Sequence, residues 1–562
     1  MSDYEKIFVL LQSYPAITVC TAVCLMVCIW QLHAAIITFL VCVCVAATTL
    51  IVCNFTCALI SLIKGRPISE ARSLLQVSAS LIPWVIIPPS VADREISSIS
   101  GKRAGCIRDD STIYMDVNAT TPVDGHVVDA ISEACTTAWG NPSSSYASGV
   151  AAKETISEAR EAIARMVNCD QSDVIFVSGG TEANNMAVHS AVDSFAKGSS
   201  GPTGTLPHVV MSNIEHDSVM QLCEVLAERG AIELTRVRTS ALGTVFAEDF
   251  AKAIKVNTVL VTIMHANNET GVVQQVQEIS KRVRERKAEL GGSKIYIHTD
   301  AAQTIGKIPV DIRAMDVDYL TIVGHKFHGP RVGALCVRDL EDAGAPLSNM
   351  MFGGGQERGY RSGTENTPMI AGLGEAARIV CGNRRSDKGT PNPCQRNGET
   401  VESVGIRMRA YRDKFELLVE QSVGKHNVIF NGKNKSVERL PNTSNFSLRQ
   451  PPQPDTDTPI FVSARDILVH TKVLCASVGS ACHTSSSKPS RILLAMGISE
   501  ELARCTFRIS MSRDTTDFEV LRAAQLITHA WSNSAGHFKN VKAISKSPAT
   551  DTKTMEQARK EL

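Results

Sequence analysis

Short apolar runs that favour β-strands alternate with helical patterns after Ser111, and this alternation restricts the fold more than any other feature. The predicted strands are Val174–Val177, His208–Met211, Thr258–Met264, Ile295–His298 and Tyr319–Val323. The predicted helices beside them are Ala151–Met166, Asn185–Phe195, Ser218–Arg229 and Val276–Leu290. Such alternation predicts an α/β fold with a mostly parallel sheet that helices cover on both faces. Ligands bind such sheets at the carboxyl ends of the strands.

The charge of the chain is nearly balanced, with 58 Lys and Arg against 57 Asp and Glu. This balance argues against a nucleic-acid partner, because a nucleic-acid binder usually carries a strong positive field. The charges are unevenly distributed, since no Asp, Glu, Lys or Arg occurs between Ile7 and Ile63. The sequence therefore consists of an uncharged apolar leader, residues 1–66, and a body of ordinary composition.

The leader predicts one or more apolar helices. The run Ala34–Ile63 is long enough for one tilted membrane span, and Ala16–Trp30 could pair with it as a hairpin. Lys64 and Arg66 follow the run, so the positive-inside rule predicts that the body lies in the cytosol. Membrane contact is expected through residues 16–63 only. The alternative is that the leader does not belong to the working protein.

The 17 cysteines predict neither a disulfide framework nor a metal site. Seven lie in the leader, and the others are scattered through the body without a C-x-x-C pair. Zinc spacing is therefore absent, and no metal is expected. Scattered single cysteines in a large body are typical of a reducing compartment.

Composition divides the rest of the chain into five segments. Residues 67–112 are predicted as a linker and 113–380 as a large cofactor-binding domain, whose first residues join the small domain. Residues 381–400 form a polar insertion loop. Residues 401–535 form a smaller C-terminal α+β domain with predicted strands Asn442–Ser447 and Thr506–Ser510. Residues 536–562 are predicted as a polar tail.

One acid and one lysine suggest a cofactor. Asp300 follows an apolar strand, and Lys326 lies between His325 and Phe327 just after the next strand. Pyridoxal phosphate needs a lysine for its covalent link and an acid beside its ring nitrogen. Taken alone the pair is a weak signal, because most lysines are solvated charges and many strand-end acids are helix caps.

Three further strand ends carry polar residues. Ser178–Asn185 follows a predicted strand and opens a helix, and its glycines expose backbone N–H groups that favour a phosphate. Met264–Gly271 and Ile214–Asp217 also place polar residues directly after apolar strands. Because polar residues recur at several strand ends, turn formation alone is a poor explanation for them.

Ten motifs in the same order along the chain resemble one family. They are Met115-Asp116 with NATTP (118–122), GNPSS (140–144), SGGTEANN (178–185), EHD (215–217), NNETG (267–271), HTDAAQ (298–303), GHKFHGP (324–330), GGGQERGYRSGT (353–364), LPNTSNFS (440–447) and SVGSACH (477–483). The set resembles class V aminotransferases, in their cysteine desulfurase and selenocysteine lyase branch. It runs from about Ile113 to Trp531. The resemblance implies the pyridoxal-phosphate type I fold, with a large domain built on a seven-stranded sheet.

The resemblance also implies roles for individual residues around the cofactor ring. Lys326 is expected to form the Schiff base, and Asp300 to pair with the ring nitrogen. His216 is expected to stack on the ring. Asn268 and Gln303 are expected to hydrogen-bond near its phenolic oxygen.

The family pattern further implies a phosphate site and a homodimer. Gly180, Thr181 and His325 are expected to bind the cofactor phosphate. Thr364 is expected to reach the phosphate of the neighbouring subunit, which requires two copies of the chain.

The expected substrate site contains Arg508, Asn118 and a reactive thiol. The planar guanidinium of Arg508 suits a substrate carboxylate. Cys482 lies in a loop of small and polar residues, which suits an exposed thiol, whereas Cys169, Cys336 and Cys381 are interpreted as small apolar residues.

Details of the motifs favour selenocysteine as the substrate. Tyr146 stands where bacterial desulfurases typically carry a His, and Val323 where they typically carry a phosphate-binding Ser. The expected reaction converts L-selenocysteine into L-alanine and selenide or elemental selenium, which an acceptor protein could take up. The alternative is a cysteine desulfurase that forms a persulfide on Cys482. An inactive membrane-tethered scaffold is disfavoured, because Lys326, Asp300 and His216 are all present.

Overall fold

The computed structural model describes residues 112–197, 204–291, 294–342, 344–382, 399–449, 461–478 and 489–545. These residues belong to one compact unit, Ala104–Leu562. The predicted leader, the linker except for Thr112, and most of the insertion 381–400 lie outside the described residues. Within the described ranges, no helix has both the length and the apolar character that a membrane span requires. The spans predicted at 16–63 fall outside these ranges.

The described strands and helices alternate through the first half of the unit, as the sequence predicts. The strands are β1 (Ile113–Tyr114), β2 (Val174–Val177), β3 (His208–Ser212), β4 (Glu233–Val237), β5 (Thr258–Thr262), β6 (Tyr296–Asp300), β7 (Tyr319–Val323), β8 (Gly333–Val337), β9 (Val428–Phe430), β10 (Thr443–Leu448), β11 (Leu474–Cys475) and β12 (Thr506–Ser510). The helices are α1 (Gly125–Thr137), α2 (Ala147–Val167), α3 (Gly180–Lys197), α4 (Asp217–Glu228), α5 (Ala247–Ala253), α6 (Val276–Leu290), α7 (Thr367–Val380), α8 (Val401–Val423), α9 (Ala464–Val469), α10 (Arg491–Ala495), α11 (Glu500–Arg504) and α12 (Asp517–Ser545).

A seven-stranded sheet with the order β2-β8-β7-β6-β5-β3-β4 forms the centre of the fold. Only β8 runs antiparallel to its neighbours, β2 and β7. The other neighbouring pairs are parallel, so the prediction of a mostly parallel sheet is confirmed. Strands β4 and β8 are not predicted from the sequence. β4 is a half-buried edge strand with charged residues, and β8 begins with glycine, so neither shows a strong strand pattern.

Helices cover both faces of this sheet. Side chains alternate between the two faces along each strand, so one strand contributes to the hydrophobic cluster on either face. Val174 and Phe176 of β2 contribute to the hydrophobic cluster that includes α1, α2, α5, α6 and α7. Ile175 and Val177 contribute to the cluster on the other face, with α3 and α4. Residues buried on both faces explain why these strands read as continuous apolar runs.

A smaller antiparallel sheet with the order β12-β10-β9 has its own core. Phe446 of β10 and Phe507 of β12 stack with ring centroids 5.3 Å apart. Phe415 of α8 and Val520 of α12 belong to the same hydrophobic cluster. β1 pairs in parallel with β11, so the first described strand joins the C-terminal part of the chain.

Helix α12 extends into the predicted polar tail. The tail is predicted to begin at residue 536, and its first ten residues form the end of this helix, which continues to Ser545. Lys539, Lys542 and Ala543 have good helix propensity, which outweighs the polar character of the segment. Pro548 follows shortly and disfavours further helix.

Gly180 fixes the contact between helix α3 and strand β7. A Cβ atom at Gly180 would lie 2.5 Å from Cγ2 of Val323, much closer than van der Waals contact permits. A Cβ atom at the neighbouring Gly179 would meet nothing within 4 Å. The first turn of α3 can therefore approach the end of β7 only because residue 180 is glycine.

We expect Gly180→Ala to lower the free energy of unfolding by about 1–3 kcal/mol, because the new methyl group overpacks this contact. Gly179→Ala is the matched control and should change it by less than about 0.5 kcal/mol. Val323→Ala should partly rescue Gly180→Ala in a double-mutant cycle measured by denaturant unfolding. Equal effects at Gly179 and Gly180 would contradict the contact.

Candidate active site

The predicted polar strand ends meet at one edge of the central sheet. Asp300 is the last residue of β6, and Lys326 follows the adjacent strand β7 by three residues. His216 follows β3, and Asn268 follows β5. Because these strands are parallel, their carboxyl ends lie at the same edge, as the sequence predicts.

Lys326 is held at this edge by the chain segment that follows β1. It ends a short 3₁₀ turn, Gly324–Lys326, directly after β7. Its Nζ donates to the carbonyl oxygens of Asn118 at 2.7 Å and Ala119 at 2.8 Å. The amine is thus oriented by main-chain acceptors, and its side chain is only partly buried.

Asp300 is a buried carboxylate that accepts hydrogen bonds at both oxygens. Oδ1 accepts from the backbone N–H of Ala302 at 3.0 Å, and Oδ2 accepts from Nδ2 of Asn184 at 2.9 Å. The residue is 6% exposed. Two donors fix the carboxylate, but no Lys or Arg forms an ion pair with it among the described residues.

A chain of hydrogen bonds connects Asp300 to His216. Asn184 Nδ2 also donates to the hydroxyl of Ser218 at 2.8 Å, and this hydroxyl lies 2.8 Å from Nδ1 of His216. The same Nδ1 accepts the N–H of Ser218 and caps helix α4. The ring expected to stack on the cofactor and the acid expected to pair with its nitrogen are therefore positioned by one network.

An uncharged histidine, His298, lies close to Asp300 on the same strand. It lies two residues before Asp300 on the same face of β6, and its ring bridges the hydroxyls of Thr262 at 2.8 Å and Thr321 at 3.1 Å. Burial lowers the pKa of His298 to about 4, although the charge of Asp300 acts in the opposite direction. The imidazole is neutral near pH 7, so the Asp300 carboxylate remains available to another cation.

Glu215 adds a second buried carboxyl group near Asp300. Its Oε1 accepts from the Ser212 hydroxyl and from the N–H of Met264 at 3.1 Å. Burial, with a smaller contribution from Asp300, raises the pKa of Glu215 to about 7. This group therefore does not carry a full negative charge near neutral pH.

Asn118 organises the segment that faces Lys326. Its Nδ2 donates to the backbone oxygen of Asn268 at 3.2 Å and to the hydroxyl of Thr443 at 2.9 Å. Its own carbonyl oxygen accepts from Nε2 of Gln303 at 3.1 Å as well as from Lys326. The structure thus brings together Asn118, Asn268, Gln303 and Lys326.

The predicted phosphate turn lies at the N-terminus of helix α3, which begins at Gly180. Thr181 is exposed there. Nδ1 of His325 lies 3.1 Å from the hydroxyl of Thr120. Burial, reinforced by Lys326, lowers the pKa of His325 to about 4, so the ring is a neutral hydrogen-bonding group near pH 7.

Glu182 and Arg361 attach the segment of Thr364 to this turn. Glu182 accepts from the N–H of Ser178 at 2.7 Å and from Nε of Arg361 at 2.8 Å. Thr364 lies three residues beyond Arg361 and is exposed. Its predicted contact with the phosphate of a second subunit involves a partner chain and stays a prediction.

Arg508 lies beside Asn118 and Asn268 but is paired with an acid. Its NH2 donates to Asp116 Oδ1 at 2.6 Å, and its NH1 donates to the Asn268 carbonyl oxygen at 3.1 Å. The side chain is 1% exposed. A substrate carboxylate at Arg508 would have to share the guanidinium with Asp116 or displace it.

Cys482 lies outside the described residues, but both flanks of its segment are attached to the site. Ser477 pairs with the backbone of Arg508, and its hydroxyl donates to Asp116 at 3.3 Å. On the other flank, the hydroxyl of Ser490 donates to Glu269 of the NNETG motif. Of the three cysteines interpreted as apolar residues, Cys336 is buried, and Cys169 and Cys381 are partly exposed.

The sequence alone predicts no role for Asn184, Ser218 or Asp116. Asn184 lies four residues after Gly180, one helical turn further along α3, so its spacing could have placed it beside the strand ends. Ser218 is two residues after His216 and shares its cap. Asp116 belongs to the first motif, but its pairing with Arg508 has no local signal, because Arg508 lies in a distant strand.

Pyridoxal phosphate fits the residues gathered here. Buried polar atoms without a hydrogen-bond partner among the described residues include four at this site, Asn184 Oδ1, Glu215 Oε2, His265 Nδ1 and Arg508 Nε. Such atoms are rare in protein interiors and indicate a place for a polar ligand. An amine at Lys326, a carboxylate at Asp300 and a helix N-terminus at Gly180 are the three groups that this cofactor requires.

Comparisons with known proteins agree with this fit. The family model "Aminotransferase class-V" matches residues 113–390. The selenocysteine lyase of Bos taurus is 45% identical over 423 residues, which cover 73% of this chain and 90% of that protein. A mitochondrial cysteine desulfurase of Candida albicans is 36% identical over 445 residues, 78% of this chain and 81% of that protein. A solved NifS-like protein superposes with a TM-score of 0.61 at 27% identity, covering 75% of this chain and 99% of its own.

We expect Asn184→Ala to weaken pyridoxal phosphate binding by about tenfold to a hundredfold, because hydrogen bonds to a charged group contribute about 1.5–3 kcal/mol. The measurement is the Kd obtained by adding the cofactor to the cofactor-free chain and following absorbance. Ser190→Ala is the matched control, since Ser190 is a buried polar residue further along the same helix, bonded to Met186 and Ser348. Similar affinities for the two variants would contradict the role of Asn184.

Proposed function

The chain belongs to the class V aminotransferase family, and from this membership we propose that it uses pyridoxal 5′-phosphate to convert L-selenocysteine into L-alanine and selenide or elemental selenium. The observation that carries the proposal is the placement of Asp300 and Lys326 at the ends of adjacent parallel strands. The similarity to selenocysteine lyases, at 45% identity against 36% for a cysteine desulfurase, favours selenium over sulfur.

The cofactor supplies an electron-withdrawing ring that stabilises negative charge at the substrate Cα. Lys326 would carry it and move the proton at Cα, and the two main-chain acceptors at its Nζ fix the direction of that amine. Asp300 would hold a proton on the ring nitrogen, since the neutral His298 below it offers no competing charge. His216, fixed through Ser218, would lie against the ring face.

The substrate carboxylate would bind at Arg508. The guanidinium is already oriented by Asn268, and its Nε has no hydrogen-bond partner among the described residues. Asp116 neutralises part of its charge in this structure. A substrate that replaced Asp116 would gain a charge-assisted, two-pronged contact.

Cys482 is proposed as the thiol that receives selenium. When the bond between Cβ and selenium breaks, its electron pair stays with Cβ, which takes up a proton to give alanine. Formal Se(0) then bonds to the Cys482 thiolate. An external thiol or acceptor protein supplies the two electrons that release it as selenide. The attachment of Ser477 and Ser490 to site residues supports placing this segment at the substrate.

The apolar Val323 is a further argument for selenocysteine, rather than cysteine, as the substrate. Bacterial desulfurases typically carry a serine at this position, and its hydroxyl would offer the phosphate one more donor. Here the position is apolar, and its side chain lies where a Cβ of Gly180 would otherwise fit. The phosphate would therefore depend more on the α3 N-terminus and on His325.

A homodimer is part of the proposal. Large aromatic side chains are exposed on the described chain, including Trp139 at 70%, Tyr146 at 57% and Phe352 at 86%. Phe352 belongs to the segment that leads to Thr364, the residue proposed to reach the phosphate of a second subunit. Exposed aromatic residues of this kind are typical of protein interfaces.

The experiment compares product release from two substrates by the purified full chain. We expect selenide release from selenocysteine to exceed sulfide release from cysteine by at least about tenfold, because a selenol is mostly ionised near neutral pH and a thiol is not. Lys326→Ala is the control and should abolish both reactions together with the yellow absorbance. Comparable rates with the two substrates would favour the cysteine desulfurase alternative.

The variant Cys482→Ala distinguishes the reaction with cysteine from the reaction with selenocysteine. Cysteine turnover should stop, because a sulfur atom must pass to a thiolate, whereas part of the selenocysteine turnover should survive. Equal survival of both reactions would show that Cys482 does not discriminate between selenium and sulfur. Cys135→Ala, at an exposed cysteine outside the proposed site, is the matched control and should leave both rates unchanged.

A further inference from the structure

Two cysteine thiols lie next to each other at the border of the main hydrophobic cluster. The Sγ atoms of Cys169 and Cys336 are 3.8 Å apart, although the two residues are separated by 167 positions in the sequence. Both cysteines are free. A disulfide requires the sulfurs to lie about 2.05 Å apart, so they need to approach by only roughly 1.7 Å. A side-chain movement can supply this without a change of fold.

Regular secondary structure sets the short distance between the sulfurs. Cys169 lies two residues after the end of helix α2. Cys336 belongs to strand β8 and pairs in register with Val174 of β2. Asp173, directly before β2, accepts from the N–H of Leu340 at 3.1 Å and so joins this turn to the segment after β8. The backbones that carry the two thiols are therefore fixed relative to each other.

The two thiols differ in exposure, which gives them different roles. Cys169 is partly exposed, whereas Cys336 is buried with 0% exposure. A hydrogen bond with Cys169, reinforced by burial, raises the pKa of Cys336 well above its ordinary value. A reactant from solvent therefore meets Cys169 first, and Cys336 keeps its proton until its neighbour has reacted. An accessible thiol beside a second thiol is the arrangement found at redox-sensitive cysteines.

This thiol pair lies away from the candidate active site. β8 runs antiparallel to β7, so Gly333 pairs with Val323 at the carboxyl end of β7, whereas Cys336 pairs with Leu320 near its amino end. Three residues of strand place Cys336 roughly 10 Å further from the sheet edge that carries Lys326. Chemistry at the two thiols therefore does not need the residues that would hold the cofactor.

We propose that Cys169 and Cys336 form a reversible disulfide when the protein meets a hydroperoxide. The Cys169 sulfur attacks a peroxide oxygen, the O–O bond breaks, and Cys169 becomes a sulfenic acid. The other half of the peroxide takes up the Cys169 proton and leaves as water or an alcohol. The Cys336 sulfur then attacks the Cys169 sulfur, the S–O bond breaks, and the hydroxyl group leaves with the Cys336 proton as water.

The two thiols together lose two electrons and two protons, which the hydroperoxide accepts. A dithiol such as dithiothreitol returns them by thiol–disulfide exchange. A disulfide of this kind is compatible with a reducing compartment, where protein disulfides are typically transient. The inference goes beyond the proposed function and does not depend on it.

The test is peptide mapping of the full chain, loaded with pyridoxal phosphate, after treatment with hydrogen peroxide. The remaining thiols are alkylated under denaturing conditions, and mass spectrometry identifies cross-linked peptides without reduction. We expect the peptide that links Cys169 to Cys336 to become about tenfold more abundant than in the untreated protein. Dithiothreitol added before alkylation should remove it.

Two variants separate the roles of the thiols. In Cys336→Ala, Cys169 should stop at the sulfenic acid, which dimedone traps as an adduct. In Cys169→Ser, Cys336 should stay reduced, because the oxidant reaches it only through Cys169. Cys381→Ala is the matched control and should leave the link unchanged, since Cys381 is also a partly exposed cysteine at the end of a helix, α7.

An oxidised parent chain that lacks the linked peptide, or that carries a lasting sulfenic acid at Cys169 beside a reduced Cys336, would overturn the inference. Oxidation of Cys336 in Cys169→Ser at the rate of the parent chain would also overturn it. The parent chain alone decides the first point, so the test does not depend on whether each variant folds. Cys482→Ala should still form the link, and its loss there would show that the oxidation comes from the reactive loop.

Discussion

The buried carboxylate of Asp300 is the constraint on which the site depends. A charge at the end of an interior strand is tolerated only if donors hold it, and Asn184 and Ala302 supply two. The neutral His298 below it carries no charge to neutralise it. Asp300 therefore has no positively charged partner among the described residues. A protonated ring nitrogen of the cofactor beside Asp300 would supply one. Much of the surrounding chemistry follows from this requirement, including the network that reaches His216 through Asn184 and Ser218.

A second feature of the site is the set of buried and partly buried basic side chains near Lys326. Lys307, Arg508 and Arg513 approach this region from three different segments, and only the two arginines have a carboxylate partner among the described residues. The two arginines are therefore charge-balanced, whereas Lys307 is a buried amine that donates to the carbonyl oxygen of Gln303.

The sequence predicts the elements of this site better than the contacts between them. Polar residues at the ends of parallel strands share one sheet edge, so the sequence predicts that Asp300 and Lys326 lie at the same edge, and β6 and β7 are parallel neighbours in the structure. The pairing of Arg508 with Asp116 could not be predicted, because the two residues are 392 positions apart in the sequence. Strand β8 is not predicted from the sequence, because it begins with glycine and runs antiparallel inside a mostly parallel sheet. The reactive-loop residue Cys482 and the apolar leader lie outside the described residues, so their predicted roles stay predictions.

The most direct measurement is the site of cofactor attachment. The full chain is incubated with pyridoxal phosphate and reduced with borohydride, which converts the C=N bond into a stable secondary amine, and the modified peptide is identified by mass spectrometry. We expect a single modified residue, Lys326, and a marked loss of modification in Asp300→Ala. Attachment to Lys307 or to surface lysines, or equal labelling in Asp300→Ala, would contradict the claim that the ends of β6 and β7 form the cofactor site.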